Sequence, residues 1–133
     1  MVNGLQLGLT IEPKQERLPT LVIHLKNAGT SPIDLAEVFP VFLEVRDVSG
    51  RWRAFQHPNW RSDRQDPSLH TVEPGHHESG HEPISRFTTL PGGDHTVRVS
   101  MALDNGILKK YDSKRLWFGV IRSNTVELTI PGQ

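Results

Sequence analysis

The chain contains no cysteine. Disulfides, thiolate metal sites and a cysteine nucleophile are therefore excluded. Net charge is missing too, since 15 Lys and Arg balance 15 Asp and Glu. Without a basic excess the chain lacks the field of a dedicated nucleic-acid binder, and without an acidic excess it presents no acidic mimic surface. No window approaches eighteen apolar residues in a row, so no membrane-spanning helix is expected. Met1–Leu5 holds no basic segment leading into an apolar run. The expected location is cytoplasmic, or extracellular if the chain is a module excised from a longer protein. Also absent are the nucleophile elbow Gly-x-Ser-x-Gly, a phosphate loop and a dinucleotide fingerprint. The carboxylates are scattered, with no isolated pair in an apolar setting to shift a pKa. These absences point away from an enzyme and from any cofactor.

What is present is alternation. Hydrophobic residues are 35% of 133, enough for one buried core in a single domain spanning 1–133. The stretch from Leu90 to Leu103 is a Pro-Gly-Gly turn feeding a strand, with Val97, Val99 and Met101 on one face and Thr96, Arg98, Ser100 and Ala102 on the other. A strand that is apolar on one face needs a second sheet to cover it. The same period appears in 5–12, 20–26, 41–46 and 125–130, with shorter pieces at 33–35, 51–55, 69–72 and 116–121. Asp47-Val48-Ser49-Gly50 has the residues of a type I turn, joining 41–46 to 51–55 as a hairpin. Residues 76–85 read as a polar edge strand whose end is anchored by Ile84, Phe87 and Leu90. The Ser123-Asn124 pair interrupts the last apolar pattern, so a bulge or sheet switch is expected there. No segment reads as a helix; 33–38 and 107–114 are short and uncapped.

Four motifs resemble bacterial immunoglobulin-like domains: Leu25-Lys26-Asn27-Ala28-Gly29-Thr30-Ser31-Pro32 as the exit of a second strand, Thr71-Val72-Glu73-Pro74-Gly75 as a turn, Leu90-Pro91-Gly92-Gly93-Asp94-His95-Thr96-Val97 as a turn and strand, and Trp117-Phe118-Gly119-Val120 onward as the closing strand. The resemblance implies an all-β, immunoglobulin-like antiparallel β-sandwich of about seven to nine strands. It implies architecture rather than activity, because such domains serve as adhesion modules, spacers, carbohydrate-binding accessories and inhibitor-like sandwiches. Many relatives place at the position of His95 a Tyr whose hydroxyl bonds back to the main chain; here an imidazole nitrogen is expected to act as that donor.

Two regions could bind something. Between Arg51 and Arg64 lie two of the three tryptophans and four arginines, within and beside a long aperiodic stretch, 56–70. Trp52, Phe55, His57, Trp60 and Arg61 form a candidate contact surface, for a protein partner first and a glycan stacked on Trp52 and Trp60 second; Asp47, Asp63 and Asp66 dilute its charge and make nucleic acid a poor fit. The bland alternative is structural, with one tryptophan packed across the hairpin and the other pinning the loop. The second region is histidine-rich. His76, His77 and His81, beside His70, Glu73, Glu78 and Glu82, are candidate metal ligands, and alternation puts His77 and His81 on one face. A solvated edge strand, charged to prevent edge-to-edge pairing, explains the same residues. The sequence thus favours a non-catalytic binding or structural module, with Trp117 in the core.

Overall fold

The computed structural model describes residues 3–12, 19–36, 41–56, 69–103 and 117–131. These residues form ten strands: β1 (Leu5–Glu12), β2 (Thr20–Asn27), β3 (Ile33–Ala36), β4 (Val41–Arg46), β5 (Trp52–Gln56), β6 (Leu69–Val72), β7 (His77–Pro83), β8 (Gly93–Leu103), β9 (Gly119–Arg122) and β10 (Val126–Ile130). Every pairing is antiparallel. One sheet has the order β1-β2-β7. The larger sheet runs β10-β8-β4-β5, with β9 also pairing to β8, and β3 pairs with β6. The fold is an all-β sandwich with ten strands rather than seven to nine. β3 and β6, two short segments 33 residues apart at their nearest, Ala36 and Leu69, pair with each other outside the two larger sheets.

Alternation is what drives the layers together. β1 buries Leu5, Leu7 and Leu9, β4 buries Leu43 and Val45, and β8 buries Val97, Val99 and Met101; all join one cluster with Leu21, Ile121, Leu128 and Ile130. Each such side chain removed from water contributes about 1.5–3 kcal/mol, which no single-layer sheet could collect. Trp117 is buried in this cluster, as expected, and its main-chain N–H donates to Asp34 O at 2.8 Å, tying the closing segment to β3. The end of β7 is held by a 3-10 turn, Ile84–Arg86, in which Ile84 is buried together with Phe87. Among the described residues no helix is long and apolar enough to cross a membrane.

Turns fix the registers. Glu73-Pro74-Gly75-His76 closes with His76 N–H donating to Glu73 O at 3.0 Å, and Gly75, at φ +80°, supplies the left-handed position that a proline-started turn of this type requires. Asn27, fully buried, donates to Ser31 O and Val72 O and accepts from Gly29 N–H, so one amide ties the 28–32 loop to the end of β6. His95 Nε2 donates to Pro91 O at 2.8 Å, closing the turn before β8. At the chain's other marked irregularity, Ser100 pairs with Arg122 but Val97 pairs with Val126. Three residues, 123–125, therefore oppose two, 98–99, and the pair Ser123-Asn124 forms a bulge within one sheet rather than a switch between sheets. Ser123 fills the gap, its N–H donating to Val99 O and its hydroxyl accepting from Val99 N–H.

Candidate functional site

The outer face of the larger sheet brings together side chains from four strands. Its geometry begins in the β4–β5 turn. Asp47 Oδ1 accepts from Ser49 N–H at 2.9 Å, from the Ser49 hydroxyl at 2.5 Å and from Arg51 N–H at 3.0 Å, while Gly50 sits at φ +86°. Those bonds favour the ionised side chain, and the Ser49 hydroxyl above all holds the Asp47 carboxyl below its ordinary value. The turn sets Arg46 opposite Trp52 and Glu44 opposite Ala54; on the other side of β4, Glu44 stands opposite Arg98 of β8. Period-two alternation then gives Glu44, Arg46, Trp52 and Arg98 the same face.

On that face Arg98 stacks over the indole of Trp52 at 4.0 Å from the ring centroid, and Arg46 lies 4.7 Å from the same centroid. Each contact is worth about 0.5–1 kcal/mol where partly solvated. Arg98 Nη2 also donates to Glu44 Oε1 at 3.1 Å, and Arg122 Nε of β9 lies 3.5 Å from Glu44 Oε2. Glu44 is only 7% exposed although it stands on an outer face, because these long side chains cover it. A carboxylate withdrawn from water needs such cationic neighbours. Its Oε2 and Arg98 Nε are nevertheless buried without a hydrogen bond. Trp52 remains partly exposed, Arg46 is exposed, and Val120, on the same face by its pairing with Ala102, is half-exposed.

The sequence-derived surface is thus divided. Trp52 belongs to the outer face, but Phe55 points the other way, opposite Leu43, and packs against the core with the Arg53 guanidinium 5.6 Å from its ring. The odd spacing between positions 52 and 55 on one strand carried that signal. His57, Trp60 and Arg61 lie outside the described residues, as do most of the 56–70 stretch and the connection 107–114. What the sequence reading missed was Glu44, Arg46, Arg98 and Arg122, whose proximity depends on register between distant strands.

The histidines do not converge. His76 faces Glu78 at 3.5 Å, and His70 Nε2 hydrogen-bonds the same carboxylate from β6. His81 Nε2 lies 3.3 Å from Glu12 Oε2. His77 and His81 share a face but are four residues apart, about 13 Å along an extended strand. Among the described residues no three histidine or carboxylate side chains are grouped to hold a metal ion, and His76, His77 and His81 form no such group. They line an exposed edge strand, with carboxylates as partners for two of them. No protein-family model matches the chain, and no curated protein is significantly similar to it.

Proposed function

We propose that the chain is a non-catalytic binding module that holds a protein partner on the outer face of its larger sheet. The observation behind this reading is the half-open indole of Trp52 flanked by the guanidiniums of Arg46 and Arg98. Tryptophan and arginine are the residue types that dominate interface hot spots, and here they are already ordered by the sheet, so little side-chain freedom is lost on binding. Arg98 and Arg122 pair with the single carboxylate of Glu44 and Arg46 lies over Trp52 on the same face, leaving a local excess of positive charge suited to an acidic partner surface. The stacking favours protein over glycan as occupant, because a sugar packs on a bare aromatic face and guanidiniums lie over this one. The strand orders β1-β2-β7 and β10-β8-β4 support an immunoglobulin-like scaffold, in which they would correspond to A-B-E and G-F-C.

The test is affinity capture with the chain as bait, followed by calorimetric titration of the purified partner against wild type, Trp52→Ala, Arg46→Glu and His24→Ala. The outer-face variants are expected to weaken binding about thirtyfold, the measure of a 2 kcal/mol hot spot. His24→Ala, on the other sheet, is expected to bind as wild type does. A partner whose affinity is unchanged by both outer-face variants, with their folds intact by circular dichroism, overturns the reading.

A further inference from the structure

The outer surface of the three-stranded sheet carries a second arrangement, which shares only Arg122 with the Trp52 face. Strand pairing sets Gln6, Lys26 and His77 in one row across β1, β2 and β7, and Gly8, His24 and Ser79 in the next. The rows are two residues apart, so all six positions lie on one face. An open groove of about 430 Å³ runs over all of them but Ser79 toward Arg122 of β9. That is within the range of small-molecule sites and several times the size of a bare oxyanion.

The groove has a fixed wall, an unfilled floor and a set of uncommitted donors. The wall is His24, whose Nε2 lies 2.9 Å from Thr10 Oγ1 and whose Nδ1 lies 2.8 Å from Ser79 Oγ, so its ring is held from both strands beside it. The floor is Gly8. A Cβ built there would meet His24 Cβ at 3.6 Å and Asn124 Oδ1 at 3.8 Å, ordinary contacts, so the space above Gly8 is not needed for packing. The donors are the side chains of Gln6, Lys26 and His77, none of which is hydrogen-bonded or ion-paired to a described residue, with half-exposed Arg122, already paired with Glu44, at the rim. No carboxylate lines the groove. Lys26 stands directly opposite His77, so two nitrogen-bearing side chains project side by side from facing positions of the antiparallel pair.

We propose that this groove binds a small soluble phosphate monoester, with its dianionic head on Lys26 and its organic part over Gly8 beside the ring of His24. A phosphate monoester has three strong acceptor oxygens and nearly two negative charges, which match a lining that holds Lys26, Gln6 and Arg122 and no carboxylate better than a single carboxylate does.

The experiment is an NMR-monitored titration of the intact chain with glucose 6-phosphate, inorganic phosphate and glucose. Glucose 6-phosphate is expected to bind saturably and to shift the amides of Gln6, Lys26 and His77. Inorganic phosphate is expected to bind at least tenfold more weakly, and glucose not at all. Lys26→Met is expected to weaken glucose 6-phosphate binding at least tenfold, Gly8→Val to block it, and Trp52→Ala to leave it unchanged. Should Gly8→Val unfold, Lys26→Met at an exposed strand position carries the comparison. Absence of saturable binding, equal binding by Lys26→Met, equal affinity for inorganic phosphate, or binding of glucose alone each overturns the proposal.

Discussion

The side-chain amide of Asn124 pairs with both main-chain groups of Leu9, accepting from its N–H at 2.9 Å and donating to its carbonyl at 3.0 Å. β1 is the free edge of its sheet, so the Leu9 peptide groups directed away from β2 have no strand to meet. The bulge at Ser123-Asn124 releases Asn124 from the β8 ladder, and its carboxamide then acts as one peptide unit of a missing strand. The irregularity in the closing strand thereby joins the edges of the two sheets.

Asn124→Ala removes both bonds. At a net 0.5–1.5 kcal/mol each, the loss of stability is expected to be about 1–3 kcal/mol in urea denaturation. Amide exchange at Leu9 is expected to accelerate in the native state, while exchange in the middle of β8 changes only by the global destabilisation. Unchanged protection of Leu9 in the variant refutes the bridge.

Asp47 gives the fold a defined acid dependence. Hydrogen bonds from the Ser49 hydroxyl first, and then from Arg51 N–H, hold its carboxyl below the ordinary 3.8. A carboxyl depressed in the folded chain stabilises the fold above its unfolded pKa, and that contribution fades as pH falls through the lower folded value. Asp47→Asn keeps an acceptor oxygen but cannot ionise. Wild type is expected to melt higher than Asp47→Asn at pH 7, with the gap narrowing only below about pH 4, where free carboxylates begin to protonate. Melting curves at matched ionic strength check this, and a gap constant from pH 7 to pH 2 contradicts it.

Much of the scaffold was legible because its signals are local. Leu5, Leu7 and Leu9 on β1 and Val97, Val99 and Met101 on β8 announce their faces by period two, and Asp47 to Gly50 and Ser123-Asn124 mark a turn and a bulge by residue type. The pairing of Ile33–Ala36 with Leu69–Val72 has no local signature, since two four-residue strands find each other only after the larger sheets bring their loops together. The contact face was half legible for the same reason. Trp52 was conspicuous in sequence, but Arg98 reaches it only because β4 lies between β5 and β8 and pairs Glu44 with Arg98. Phe55 was assigned to that face by composition, although its spacing from Trp52 placed it on the other.

The Glu44–Arg98 pair separates what stabilises this face from what the face presents. Glu44→Leu leaves the Arg98 guanidinium, 21% exposed, beside Arg122 with no carboxylate between them, and is expected to cost about 2–3 kcal/mol. The pair itself is incompletely satisfied, because Glu44 Oε2 and Arg98 Nε are buried without hydrogen bonds. Desolvation therefore offsets much of its attraction, and the double variant Glu44→Leu, Arg98→Leu, which removes both charges and fills the same space with aliphatic groups, is expected to fall within about 1 kcal/mol of wild type. A double-mutant cycle by urea denaturation measures this directly; a double variant as unstable as the sum of its single changes would show that the ion pair contributes no coupling. The double variant also strips the closer guanidinium from Trp52. If the arrangement is maintained for recognition rather than stability, this chain keeps its fold and loses its partner.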